Sequence, residues 1–182
     1  MTWREGSLKL RLMDIIVTLI DGARGRLRFG SLDVDCALGK SGITTEKREG
    51  DHATPAGRFP LRKLFYRADR MAAPRCALPT AEIDILDGWC DDPDHELYNK
   101  YVRLPFGARH ERLWREDPLY DLVVVLGHND DPPVAGAGSC IFLHVAHGDY
   151  RGTEGCVALK KEDLLTLLAA IGEDTRMEVR AP

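Results

Sequence analysis

The chain has 182 residues, 44% of them hydrophobic and 30% charged, with a formal net charge of -4. That is the balance of a soluble globular protein long enough to bury its own core as one domain. Neither the charge nor any basic cluster with interleaved aromatics supports nucleic-acid binding, and no stretch reaches the roughly 18 apolar residues of a membrane span. The expectation is a single monomeric domain over residues 1–182, with no transmembrane segment and a core from about 13 to 179.

Arg4, Lys9 and Arg11 precede the apolar run "LMDIIVTLI", which raises the question of a signal peptide. An h-region has no charge and ends at a small-residue cleavage site. Asp14 interrupts this run, and "DGARGRLRF" follows as a turn and a strand, so Met13–Ile20 reads as a strand and no export signal is recognised. "GRLRFGSLDVDCALG" alternates apolar and polar residues around a Gly-Ser turn and predicts a hairpin. "GKSGITTEKREGDHATPAGRFPL" is dense in Gly, Thr and Pro and reads as a loop. From about Tyr66 to Arg115 the chain is polar and irregular, with room for short helices but no periodicity to support one. "LYDLVVVLGHNDDPP" predicts a strand stopped by Asp and Pro, and "GSCIFLHVAH" another. After "GCVALKKED", Leu164, Leu165, Leu167, Leu168 and Ile171 recur at helical spacing, with Gly172 to end the helix. "RMEVR" closes the chain as a strand, and the sum is an α+β domain that is mainly β.

The five cysteines, Cys36, Cys76, Cys90, Cys140 and Cys156, show no CxxC spacing, and an odd number leaves at least one thiol unpaired. Scattered thiols mostly serve as small core hydrophobes, and a Cys76–Cys90 disulfide is not favoured. Cys156 differs because it follows Gly155 and lies shortly after His144 at a strand end. A thiolate is the nucleophilic form, so a catalytic cysteine needs a base such as this imidazole. The glycine permits a sharp turn, so the N–H groups of Glu154, Gly155 and Cys156 can face an oxyanion. Each such donor is worth about 3–4 kcal/mol in other enzymes. A helix starting just after the cysteine adds its dipole. The same residues also suit core filling, a disulfide or a metal site. For zinc, His144, His147 and Cys156 supply three ligands, but no fourth is suitably spaced. No metal and no other cofactor is therefore expected. His128 and Asn129 end a strand, where they line a cleft or make a turn, and Tyr98 and Asn99 are candidates for a lid.

The stretch "IFLHVAHGDYRGTEGCVALKKEDLLTLL" resembles the signature of the L,D-transpeptidase catalytic domain family (YkuD-type). His144 matches the family's strand-end histidine, and Thr153, Gly155, Cys156 and Val157 match Ser/Thr-x-Gly-Cys-Ile/Val. Far upstream, "EGDHATPAGRF" resembles the family's Gly-Asp-x-x-Thr-Pro-x-Gly-x-Phe loop, through Gly50, Asp51, Thr54, Pro55, Gly57 and Phe59. The resemblance runs from about Met13 to Val179. It implies a β-sandwich or partial barrel with a helix after the catalytic cysteine. It also implies acyl transfer on peptidoglycan stem peptides. Cys156 attacks the carbonyl after the third stem residue and releases D-alanine, His144 shuttles the proton, and the carbonyl of Val145 or Ala146 orients the imidazole. An amine of a second stem resolves the thioester into a 3–3 link or one involving position 1. Water as acceptor gives a carboxypeptidase, and a domain without turnover gives a peptidoglycan-binding module. Glu154 departs from the pattern as an acid that by itself raises the thiol pKa. Ala158 stands where Arg or Asn is common, so the substrate carboxylate falls to Arg151 or Arg58. Thr153, His128, Asn129 and Tyr98 complete the expected binding set. The substrate implies the periplasm or cell envelope, with cytoplasmic wall precursors as the alternative.

Overall fold

The computed structural model describes residues 13–182. Arg4, Lys9 and Arg11, weighed above for an export signal, lie outside the described residues. The alternating first third folds as expected into a meander of β1 (Ile15–Asp21), β2 (Arg24–Phe29) and β3 (Leu32–Ala37). Gly22 (φ +54) and Gly30 (φ +59) supply the left-handed residues at its two turns. Ile15, Val17 and Leu27 are fully buried on one face. On the other, Arg24, Arg26 and Arg28 pair with Asp33 and Asp35 across the hairpin.

The breaker-rich segment is not all loop. After the short pair β4 (Ile43–Thr44) and β5 (Thr54–Pro55) it enters β6 (Gly57–Tyr66), at 10 residues the longest strand described. Its apolar residues change phase, with Phe59 and Leu61 followed by Leu64 and Tyr66, because the register slips opposite Val125 and Leu126. A β-bulge therefore erases the period-two signal. β7 (Thr80–Glu82) follows. The irregular middle then holds a separate antiparallel sheet of β8 (Asp87–Cys90), β9 (Tyr101–Arg103) and β10 (His110–Arg112), in the order β10-β8-β9, rather than short helices. A 3-10 turn at Pro118–Tyr120, capped by Asp117, leads into β11 (Leu122–Leu126), β12 (Phe142–Val145) and β13 (Val157–Leu159). The chain ends with α1 (Lys161–Ala170) and β14 (Arg176–Val179).

The main sheet runs β11-β12-β13-β3-β2-β1-β14-β6-β7, and β6 also pairs with β11. That extra pair closes the sheet into a barrel and removes the open edge from both strands. Leu143, Val145, Val157 and Leu159 point inward to the core, where Leu164, Leu167 and Leu168 of α1 also bury. The alternate residues of the same strands point outward. Phe142 and Cys156 join Tyr120, Val123, Val125 and Leu113 in a second core, between the barrel wall and the β8–β10 segment. All five cysteines are free. No helix among the described residues is long and apolar enough to cross a membrane.

Candidate active site

His144 is held on the outer face of β12, between β11 and β13, opposite Val123 and Ala158. Its Nδ1 lies 2.8 Å from the Val145 carbonyl oxygen, the orienting group expected from sequence. A carbonyl only accepts, so Nδ1 carries the hydrogen and Nε2 is the basic nitrogen. The ring packs edge-on against Tyr120, with centroids 5.2 Å apart. Burial brings its pKa down to about 4.

Cys156 sits where the chain enters β13. Gly155 has φ +138, and a Cβ there would lie 2.9 Å from the Ala53 carbonyl oxygen, so a side chain is excluded on both counts. Thr153 Oγ1 accepts the Gly155 N–H at 3.1 Å and donates to the Cys156 carbonyl at 2.7 Å. Thr54 Oγ1 accepts the Gly39 N–H at 2.8 Å and reaches the same Cys156 carbonyl at 3.5 Å. The two distant motifs thus meet on the backbone of the cysteine. Residues 38–40 fix the turn further, because Thr153 N–H donates to Leu38 and Thr153 O accepts from Lys40.

The Cys156 thiol donates to the Cys140 carbonyl at 3.1 Å, and its sulfur accepts the Phe142 N–H at 3.4 Å. Burial, with the charge of Glu111 added, pushes the thiol up to about 12, while the Phe142 N–H and the Lys47 ammonium oppose the rise. Glu154 acts less than any of these. Its carboxylate turns outward to Lys40 and His52.

A cavity of about 780 Å³ holds Cys156, His144, Thr153 and Arg151 in its wall. Arg151 is exposed at the rim, and among the described residues its guanidinium has no carboxylate partner. The structure does not bring Arg58, His128 or Asn129 to this cavity. Arg58 makes a fork to Asp14, at 2.6 and 3.0 Å. His128 Nε2 is bound to the Ala137 carbonyl at 2.9 Å, and its ring abuts Phe59. Asn129, at φ +48, closes its own loop through Val134 and Gly138. Tyr98 stands one layer behind the wall and donates to Glu49, which also accepts Ser139 Oγ at 2.7 Å and does line the cavity. The helix expected directly after the cysteine begins only at Lys161, beyond the three residues of β13. Its positive end is occupied by Glu162 and Asp163 rather than by the thiol.

Glu111, Tyr120, Cys140 and Arg115 also line the cavity and are absent from the sequence-based set. Tyr120 donates its hydroxyl to Glu111. Arg115 gives its fork to Asp117, at 2.9 and 2.7 Å, and only its remaining nitrogen comes within 3.9 Å of Glu111. Lys47 is 7% exposed and pairs with Asp51 of the upstream motif. The segment "HERLWREDPLYD" has no period or spacing that marks Glu111 or Tyr120, because each sits on an element of three residues.

A family model described as the L,D-transpeptidase catalytic domain matches residues 16–179. No curated protein and no solved structure matches the chain.

Proposed function

The chain belongs to the L,D-transpeptidase catalytic-domain family, which acts on peptidoglycan, and from that premise we propose that it cross-links stem peptides through a Cys156 thioester. The observation that carries this reading is the pairing, in one cavity, of a thiol on a glycine turn with an imidazole whose Nδ1 is committed to Val145. The carbonyl after the third residue of a donor stem tetrapeptide enters beside Sγ. The thiol proton passes to His144 Nε2, and sulfur attacks. Because Thr153 Oγ1 already occupies the Gly155 N–H, the Glu154 and Cys156 N–H groups are the donors for the oxyanion, each contributing about 3–4 kcal/mol by comparison with other enzymes. His144 returns the proton to the departing D-alanine nitrogen. Arg151 holds the substrate carboxylate, and an amine of a second stem resolves the thioester into a 3–3 link or one involving position 1. Action on peptidoglycan supports a location in the periplasm or cell envelope.

The test is incubation with disaccharide-tetrapeptide muropeptides and mass analysis of the products. Released D-alanine with a dimer is the expected result, and fragmentation of the dimer identifies the acceptor amine. A monomeric tripeptide alone shows water as the acceptor, which makes the enzyme a carboxypeptidase. No D-alanine together with a Cys156 inert to thiol reagents leaves only a binding module.

A further inference from the structure

Cys156 must carry negative charge to attack, yet the Glu111 carboxylate lines the same cavity. Glu111 shares the cavity wall with Cys156 and with Cys140, whose carbonyl accepts the Cys156 thiol at 3.1 Å. It is linked to the base through Tyr120, whose hydroxyl donates to Glu111 and whose ring abuts His144. Its side chain keeps 29% of its surface open while lining the cavity. Of the other three carboxylates of the wall, Glu154 pairs with Lys40, Asp91 pairs with Arg109, and Glu49 is taken up by the hydroxyls of Tyr98 and Ser139, away from the Tyr120–His144 contact. Glu111 has the neutral Tyr120 hydroxyl as donor and one guanidinium nitrogen at 3.9 Å that belongs to the Arg115–Asp117 pair. Such a carboxylate opposes thiolate formation, so its use lies in a later step.

That step is set by proton balance. The acceptor amine arrives at neutral pH as an ammonium ion, which has no lone pair to attack with. It must lose one proton before attack and a second after it. His144 is matched to the second, because the same imidazole must then protonate the departing sulfur. The first needs another base. We propose that Glu111 is the general base for the acceptor amine. The ammonium gives one proton to the Glu111 carboxylate, and the freed nitrogen pair forms the C–N bond at the thioester carbonyl. The remaining extra proton on that nitrogen goes to His144 Nε2. The C–S bond breaks, the sulfur takes that proton back from His144, and Glu111 releases its own to water. The balance is ammonium plus thioester giving amide, thiol and one proton. Burial, which raises the carboxyl pKa, strengthens Glu111 as a base.

This assignment rests on the acyl-transfer reading above, and the test separates the two. Cys156 is acylated with a peptide thiophenyl ester, which needs no stem peptide, and the thioester is then offered lysine or methoxyamine. Lysine arrives as ammonium, whereas methoxyamine is a weak base already neutral at the assay pH. Glu111→Gln is expected to form the thioester at least as fast as the wild type, because the charge that opposes the thiolate is gone, and to keep its aminolysis by methoxyamine when rates are measured from the preformed thioester. With lysine it is expected to lose about 10²–10⁴-fold, the usual share of a general base. Equal losses with both amines, or no loss with lysine, would overturn the assignment. If Glu111→Gln does not fold, Glu111→Asp carries the same comparison, because the shorter carboxylate must lose lysine selectively. Wild-type enzyme with stem tetrapeptide is run alongside. Failure there to release D-alanine counts against the cross-linking function and leaves the Glu111 result standing on the thiophenyl ester.

Discussion

A thiol pushed up to about 12, in one cavity with an imidazole brought down to about 4, makes a pair that rests neutral. On the mechanism proposed above, the proton stays on sulfur in the free protein and leaves when a substrate carbonyl reaches Sγ. Alkylation of Cys156 by iodoacetamide, followed by mass spectrometry of the labelled peptide, should therefore be slow at pH 7 and rise with pH through the alkaline range. A rate already flat between pH 6 and 8 would instead mean a standing thiolate–imidazolium pair. His144 also leaves a signature in stability. Its pKa in the folded protein lies below the ordinary 6.5, so the unfolded chain binds the proton more tightly. The contribution is complete above about pH 6.5 and is lost as pH falls toward about 4, amounting to roughly 3 kcal/mol. Urea midpoints should fall across that window in the wild type and less in His144→Gln. The same variant should turn over about 10²–10⁴-fold more slowly.

The position of Cys156 belongs to no single element. The Cys156 carbonyl is held by Thr153 from its own turn and by Thr54 from β5, and Gly155 lets the Ala53 carbonyl approach. Gly155→Ala must displace backbone rather than a flexible side-chain tip, so it should abolish thioester formation, read by intact-protein mass. Thr54→Val keeps the shape but strands the buried Gly39 N–H, at a cost of about 1–3 kcal/mol. It should lower thioester formation while leaving the pH dependence set by His144 in place; an unaltered rate would show that Thr153 alone fixes the carbonyl. The two motifs were legible because they are local patterns of residue type, whereas the carbonyl that orients His144 was implied only as Val145 or Ala146, and the structure selects Val145. β1–β3 were legible because one face of each is buried and the period is unbroken. β6 was hidden by its bulge and by Pro60, and β13 by having only three residues between the cysteine and α1. Arg58 was a candidate for the substrate carboxylate because Ala158 stands where Arg or Asn is common, but register sets it beside β14 within reach of Asp14, a pairing that spacing along the chain does not reveal.

At the scale of the molecule, β11 and β12 are walls shared by two cores. Leu122, Val124 and Leu126 face the barrel interior with Leu167 of α1, and Val123 and Val125 face outward with Leu113. The sequence shows the apolar runs of both strands but not their division, since a strand buried on both faces loses its alternation. The β8–β10 segment read as irregular because its strands have only three or four residues, although it supplies Glu111. The shared strands couple the two cores, so the protein should unfold in one cooperative transition, with fluorescence and far-UV dichroism coincident in urea. The cores nevertheless do different work. Leu113 and Leu167 are both fully buried, and truncating either to alanine should cost about 2–5 kcal/mol through lost transfer energy and a residual cavity. Leu167→Ala loosens α1 against the barrel interior, on the side of β12 away from His144, so thioester formation and aminolysis should persist wherever the variant is folded. Leu113 directly follows the β10 strand that bears Glu111, and its loss should shift that carboxylate against Tyr120. Leu113→Ala should then lose aminolysis by lysine out of proportion to thioester formation, under conditions where dichroism reports a folded chain. Matching losses in the two variants would show that the outer core only contributes stability and does not position the acceptor side of the site.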